Sequence, residues 1–296
     1  MKNALIKMHI AVFLWGFTGV LGRAITLQEY PLVWYRTLMT AAIFVVILIY
    51  RKEFVKLSRK EVLRFMGIGT IIAIHWVAFY GSIKYSNASI SLTCLATAGI
   101  FTALLEPLFF KSKFKIKELI TGVIALVGMY SIYHFEVKYA FGIMLGIFAS
   151  LLSALFTILN KKIVNQYPAR LVAFYEIGSG FIFLTLLLPV YIYLQPAVSF
   201  VPVPFDWLWL AVLSLCCTVW GQSLALSALK KLSSFTTVLM VNLEPVYGIV
   251  LAMLIYHENK DLGLGFYLGI ILIALSVGIH TFIMMLDRKR LSKLPE

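Results

Sequence analysis

Ten long apolar runs, separated by short polar segments, constrain this chain more than any other feature. The runs lie near residues 4–25, 32–50, 63–84, 87–110, 115–134, 139–160, 171–193, 206–230, 233–257 and 263–286. A helix needs about 20 apolar residues to cross the hydrocarbon core of a bilayer, and each run is close to that length. Only 13% of the residues are charged, whereas soluble chains have about 25%. The pattern predicts an all-α integral membrane protein with ten transmembrane helices and no soluble domain.

Basic residues are unevenly distributed between the two sides of this predicted bundle. If both termini are cytoplasmic, four of the 26 Lys and Arg residues fall in outer segments, Arg36 lies within a span, and the other 21 are cytoplasmic. Loops rich in Lys and Arg stay in the cytoplasm. We therefore expect a multi-pass protein of the inner membrane with both termini inside. The net charge of +13 then reflects orientation and contact with anionic membrane lipid, and no nucleic-acid partner is expected.

The ten spans divide into two sets of five, over residues 1–137 and 138–296. Because five is an odd number, the second set must enter the membrane from the opposite side, which predicts two inverted-topology repeats. Residues 84–131 align with residues 231–278 without a gap, at an offset of 147. The main support for this alignment is that it also superposes the predicted ends of the spans.

Two Glu–Pro pairs, Glu106–Pro107 and Glu244–Pro245, lie inside apolar runs. They are 138 residues apart and not 147, so they are not equivalent positions of the repeats. Glu244 falls near the middle of its span, whereas Glu106 lies roughly 10 Å closer to the cytoplasm at 1.5 Å per residue. We expect Glu244 to line a central cavity, where it would exchange a proton or meet an ammonium group. Glu106 is expected to act as an inner gate or anchor near Lys111.

Further polar and aromatic residues fall at mid-depth, where a polar group must pair with protein or face a wet cavity. His75 and Trp76 lie near the centre of the third span, and Gln222 and Ser223 occupy the equivalent positions of the eighth. Tyr80 follows Trp76 by one turn on the same face. Simple packing inside the bundle is the alternative for each of them. The cavity candidates are Trp15, His75, Trp76, Tyr80, Thr97, Trp220, Gln222, Ser223 and Glu244.

Arg36 and Glu176 occupy matching places in the second and seventh spans, near opposite faces of the membrane. We expect Arg36 to extend to the outer surface and Glu176 to lie near the cytoplasmic entrance, too far apart to pair. Together with Glu106 they are candidates for gating or structural polar roles. The three cysteines lie within spans and are expected to pack as small apolar residues. No catalytic residue, metal site or cofactor is predicted.

The segment from 242 to 278, "NLEPVYGIVLAMLIYHENKDLGLGFYLGIILIALSVG", and the "WYR" at 34–36 resemble the EamA-type branch of the drug/metabolite transporter superfamily. The matching positions of the longer segment are Pro245, Glu258, Gly269 and Gly278. Members of this branch have two five-helix repeats of inverted topology. The first half departs from the family pattern, with Ala98 and Lys111 where the family often has Pro and Glu.

This resemblance implies a secondary transporter that moves a small metabolite, such as an amino acid, with export as the expected direction and alternating access as the mechanism. The expected partners are the small-molecule substrate, a proton as a candidate coupling ion, and membrane lipid, with the protein a monomer or a homodimer. The alternatives are a polytopic membrane enzyme, such as a lipid-modifying transferase, and a channel. The loops are short and poor in His, which argues against a membrane enzyme. The sequence contains no ring-forming filter motif, which argues against a channel.

Overall fold

The computed structural model describes residues 2–114, 116–135, 137–241, 243–260 and 262–291. Within these ranges the regular structure is helical, and no β-strand occurs. The helices before the first long loop of the second half are α1 Lys2–Ala24, α2 Glu29–Arg51, α3 Arg59–Tyr85, α4 Ala88–Leu95, α5 Ala98–Phe110, α6 Ile116–Phe135, α7 Ala140–Ile163 and α8 Ala169–Leu194. After that loop come α9 Pro204–Val212, a π-helical segment Leu213–Trp220, α10 Gly221–Leu229, α11 Ser234–Val241, α12 Glu244–Tyr256 and α13 Leu264–Leu291.

Seven of the predicted spans coincide with helical stretches long and apolar enough to cross a membrane. They are Lys2–Ala24, Glu29–Arg51, Arg59–Tyr85, Ala88–Phe110, Val137–Ile163, Ala169–Leu194 and Pro204–Leu229. The shorter apolar helices Glu244–Tyr256 and Leu264–Ser276 fall within two more predicted spans, and α6 falls within the remaining one. An all-helical membrane protein is therefore confirmed, while the count of ten crossings stays a prediction.

Two of the predicted spans are interrupted. The first break separates α4 from α5 at residues 96–97, and the second separates α11, which ends at Val241, from α12, which begins at Glu244. Pro245 is the second residue of α12, where its missing N–H costs no helical hydrogen bond. At the first break the hydroxyl of Thr97 donates to the carbonyl of Cys94 at 2.7 Å. Interrupted helices at membrane depth are tolerated where protein or a cavity surrounds them, and both breaks lie inside the bundle.

The π-helical segment Leu213–Trp220 changes the direction of the side chains in the eighth predicted span. The hydroxyl of Thr218 donates to the carbonyl of Leu213, five residues earlier, at 2.9 Å. A π-helix turn contains more residues than an α-helix turn, so side chains after it do not follow a spacing of 3.6. Trp220 consequently points away from the bundle with 54% of its surface exposed.

Helices α3 and α8 approach each other closely enough for their backbones to touch. A Cβ added to Gly69 would lie 2.1 Å from the carbonyl oxygen of Glu176, and one added to Gly180 would lie 2.9 Å from the carbonyl oxygen of Gly69. Small residues are common at such contacts in membranes because they permit close helix packing. This contact fixes the depth of Glu176 relative to α3.

We predict that Gly69→Ala destabilises the protein by about 1–3 kcal/mol, because the new methyl group overpacks the α3–α8 contact. The matched control is Gly67→Ala on the same helix, where an added Cβ meets nothing within 4 Å. Alanine favours a helix over glycine by about 1 kcal/mol, so the control should melt at the same temperature as the wild type or slightly higher. Thermal unfolding of both variants in the same detergent measures the difference. Equal melting temperatures would contradict the close approach.

We also predict that the loop before α3 is cytoplasmic and that the loop between α8 and α9 is external. Ser58 and Ser199 are exposed in these loops, so each can be replaced by cysteine in a chain whose three native cysteines have been removed. An impermeant thiol reagent added to intact cells should label Ser199→Cys and leave Ser58→Cys unlabelled until the membrane is opened. The reverse pattern would overturn the orientation.

Candidate functional site

A cavity of about 90 Å³ lies within the bundle, between α1, α3, α7, α10 and the α11–α12 pair. A single water needs roughly 10–15 Å³ measured in this way, so the cavity holds several waters or a small polar molecule. Most of its wall is aliphatic and aromatic. The hydrogen-bonding and charged side chains of the wall include Thr18, Arg36, His75, Asn160, Gln222 and Glu244. An apolar pocket with a few convergent polar groups is the usual form of a small-molecule site.

Arg36 is buried beside this cavity, with only 2% of its surface exposed. Its Nε donates to the hydroxyl of Thr218 at 2.9 Å, and its Nη1 donates to the hydroxyl of Tyr80 at 2.8 Å. The guanidinium carbon lies 3.8 Å from the centre of the Trp76 ring. The expectation that Arg36 extends to the outer surface is wrong, because stacking on an aromatic face and hydroxyl acceptors provide partners for the guanidinium inside the bundle.

Glu244 also lies in the cavity wall, as the first residue of α12. Its carboxyl group is buried, and the hydroxyl of Thr18 lies 3.4 Å from its Oε1. Arg36 lies in the wall of the same cavity. The free N–H groups of a helix N-terminus also favour a negative charge at this position. The break before α12 therefore helps to hold a carboxyl group at mid-depth.

Trp15 and His75 also line the cavity and anchor it to neighbouring backbone. The indole N–H of Trp15 donates to the carbonyl of Cys217 at 2.8 Å, within the π-helical segment. The Nδ1 of His75 lies 2.7 Å from the carbonyl of Ala149. Because a carbonyl only accepts, Nδ1 carries the hydrogen, which leaves Nε2 as an acceptor in the neutral ring. Trp76, Gln222 and Glu244 line the cavity as well. The structure therefore places five of the nine cavity candidates on its wall.

The other four candidates do not line the cavity. Tyr80 is fully buried and reaches the site only through its hydrogen bond to Arg36. Thr97 is occupied at the first helix break, where it also contacts Ser150 at 3.0 Å. The hydroxyl of Ser223 is buried without a hydrogen-bond partner among the described residues. Trp220 is turned outward by the π-helical segment.

The gating candidates Glu176 and Glu106 both lie outside the cavity wall. Glu176 was expected near the cytoplasmic entrance, but it is fully buried on α8. The side-chain nitrogen of Asn160 lies 3.4 Å from its Oε2, and the side chain of Gln222 lies near the same carboxyl group. Glu106 is half-buried on α5, where Lys161 is close enough to interact with its charge. Glu106 does not line the cavity.

Sequence reasoning missed Asn160 and Thr18 as cavity residues. The predicted sixth span ended at Asn160, directly before two lysines, so this residue resembled an interfacial one. In the structure α7 continues to Ile163, which places Asn160 inside the bundle with 1% of its surface exposed. The sequence gives no indication that Thr18 lines a cavity, because the hydroxyl of a threonine can hydrogen-bond to a carbonyl of its own helix. Here its hydroxyl does so with the carbonyl of Trp15 at 2.7 Å.

The bundle is closed at the end that holds the C-terminus of α1, which is the outer end in the predicted orientation. Glu258 is fully buried there and pairs with Arg23. Its oxygens also accept from the backbone N–H of Ala88 at 3.2 Å and of Ser89 at 2.9 Å, at the start of α4. The cavity wall extends the other way, as far as Met8, Asn160 and Leu229 near the inner ends of α1, α7 and α10. These contacts tie α1 to the start of α4 at this end of the bundle.

Comparison with known proteins identifies relatives over most of the chain. The model of the EamA-like transporter family matches residues 2–134 and 140–282. A Bacillus subtilis (strain 168) protein named uncharacterized transporter YxxF is 25% identical over 193 residues, which cover 62% of this chain and 61% of that protein, less than two thirds of its length. An uncharacterized transporter of Archaeoglobus fulgidus is 25% identical over 246 residues, covering 79% of this chain and 82% of that protein. A solved structure named "Crystal structure of protein" matches with a TM-score of 0.69 and 14% sequence identity. The match covers 95% of this chain and 98% of the other chain, and it shows a shared fold.

We predict that Tyr80→Phe destabilises the protein by about 1–3 kcal/mol, because it leaves a buried guanidinium N–H without its acceptor. Tyr35→Phe on the adjoining helix is the control, since Tyr35 is only half-buried. Thermal unfolding in detergent compares the two variants. A loss of stability in the control as large as that in Tyr80→Phe would show that the bond to Arg36 contributes nothing particular.

Proposed function

This chain belongs to the EamA-like transporter family, and from that premise we propose that it is a secondary transporter that exports a small metabolite, such as an amino acid, across the inner membrane. The observation that carries the proposal is the buried cavity with Arg36 and Glu244 in its wall, closed at the outer end. A cavity enclosed at mid-depth, with polar groups of both halves around it, suits a substrate site that opens to each side in turn.

Two observations support an arrangement of ten helices in two inverted repeats, with boundaries at 1–137 and 138–296. The family model matches the chain twice, over two stretches of similar length. The two helix breaks also fall within one residue of each other in the alignment, because an offset of 147 places Thr97, just before α5, against Glu244, the first residue of α12. Broken helices at the repeat interface commonly form the substrate site of secondary transporters. Rocking of one half against the other would provide alternating access.

The charges of the cavity favour a substrate that carries both an acidic and a basic group. Arg36 presents a positive charge, and Glu244 can meet an ammonium group, one of the two roles expected for it. A charge taken from water into the membrane needs an opposite charge or several hydrogen bonds to offset its desolvation. An amino acid fits both requirements and the small volume.

Purified protein in proteoliposomes tests the proposal directly. Radiolabelled amino acids are supplied singly, and their movement is compared with that into protein-free liposomes. Saturable movement of at least one of them without chemical change is the expected result. A chemically altered product would instead indicate a membrane enzyme, and unsaturable conductance would indicate a channel. Either outcome would contradict secondary transport.

We predict that Glu244→Gln abolishes this transport while the melting temperature changes little, because glutamine keeps the shape and hydrogen bonding of the side chain but loses its charge. Glu106→Gln is the matched control. It lies outside the cavity beside another Glu–Pro pair, so its effect should appear in stability or rate and leave transport detectable. Transport at the wild-type rate by Glu244→Gln would remove this residue from the site.

A further inference from the structure

The buried ionisable groups of the bundle do not balance in charge. Among the Lys and Arg side chains that the structure describes, only Arg36 is buried. Four acidic side chains are buried: Glu176, Asp206, Glu244 and Glu258. Glu258 pairs with Arg23, and Asp206 accepts from the backbone N–H and the hydroxyl of one threonine near the outer end. Arg36 and Glu244 lie in the wall of the same cavity. This leaves Glu176 without a positive partner.

The surroundings of Glu176 consist of neutral amide groups. Asn160 on α7 contacts its carboxyl group and Gln222 on α10 lies near it, and within the described ranges no basic side chain forms an ion pair with it. Two acceptor atoms of this cluster, Oε1 of Glu176 and Oδ1 of Asn160, are buried without any hydrogen-bond partner in the described part of the chain. An ionised carboxylate in such a place has lost its hydration without gaining an opposite charge, which strongly favours the neutral form.

Charged and titratable groups on the elements around α8 are engaged elsewhere. His75 on α3 is bound through Nδ1 to the carbonyl of Ala149. Arg36 on α2 is held by Trp76, Tyr80 and Thr218. Lys161 on α7 donates to the carbonyls of Leu229 and Leu232 at 2.8 and 2.5 Å. Lys162 on α7 lies over the rings of Phe109 and Phe110, and neither Tyr175 on α8 nor the two π-segment cysteines carry a positive charge.

The missing partner of Glu176 must be small. Asn160 and Gln222 line the cavity but Glu176 does not, so these two amides stand between the carboxyl group and any substrate. A hard metal cation takes about six oxygen ligands, and the cluster offers two unpartnered oxygens. A proton needs only one carboxyl oxygen, which it converts from an acceptor into a donor. Asn160, which already contacts this carboxyl group, supplies an unpartnered acceptor.

We propose that Glu176, with Asn160 and Gln222, is a proton-binding site that couples transport to the proton gradient. In the outward-closed conformation the carboxyl group holds a proton. When the inner end opens, the O–H bond breaks and the proton passes to a cavity water beside the two amides, leaving the carboxylate. When the outer end opens later in the cycle, a proton from that side rebinds the carboxylate and restores the neutral side chain, so that one proton moves inward in each cycle. The coupling step rests on the proposed transport function, whereas the protonation of Glu176 does not.

Infrared spectroscopy of the purified full-length protein tests the protonation by itself, because a neutral carboxyl group absorbs separately from a carboxylate. At neutral pH the wild type should show a protonated-carboxyl band that is missing from Glu176→Gln and retained in Glu106→Gln. Above the midpoint of titration the band should fall about tenfold for each pH unit. In Asn160→Leu, which keeps the carboxyl group, the band should persist but shift in frequency because its acceptor is gone. Identical spectra of wild type and Glu176→Gln would overturn the proposal.

Proteoliposomes with an imposed pH gradient test the coupling, using an amino acid that the wild type moves. The wild type should accumulate it against its concentration gradient, whereas Glu176→Gln should exchange it but lose the accumulation. Accumulation by Glu176→Gln at the wild-type level would overturn the coupling role. If the wild type moves none of the amino acids supplied, the proposed function fails, and the infrared result still decides the state of Glu176.

Discussion

The burial of Arg36 is the interaction on which the interior of this protein depends. A guanidinium away from water is always charged, so it needs hydrogen-bond acceptors and an aromatic face. Trp76 and Tyr80 of α3 provide the face and one acceptor, and Thr218 of the π-helical segment provides the other. Because these partners belong to different parts of the chain, one side chain fixes three elements around the cavity.

This fixed cation also determines which acids remain unbalanced. Glu244 lies at a helix N-terminus and within reach of the charge of Arg36, so two positive influences act on it. Glu176 has neither, although the α3–α8 backbone contact holds it at its depth. The two glutamates are therefore suited to different tasks, one to a charged group of the substrate and the other to a proton. The Glu–Pro pair at Glu106 shares no part of this arrangement.

The sequence predicts the helices well and the directions of their side chains poorly. Apolar length suffices for seven of the predicted spans, and the cost of polar groups in a membrane suffices to single out Trp15, His75, Trp76, Gln222 and Glu244 as cavity residues. The predicted direction of a side chain is wrong where the helix is irregular. At Trp220, a π-helical turn breaks the 3.6-residue period. The setting of Arg36 depends on residues distant in the chain, which no local pattern contains. Asn160 was missed because a span boundary was placed three residues too early.

The central claim is that the cavity beside Arg36 and Glu244 is the transport pathway. Thr157 is buried in its wall and carries neither charge nor any of the contacts that hold Arg36. Thr157→Cys can be placed in a chain without the native cysteines and treated with a bulky thiol reagent, with the extent of modification measured by mass spectrometry. Transport of an amino acid should stop in proportion to modification, and the substrate should protect the cysteine. Transport at an unchanged rate after complete modification would contradict the account.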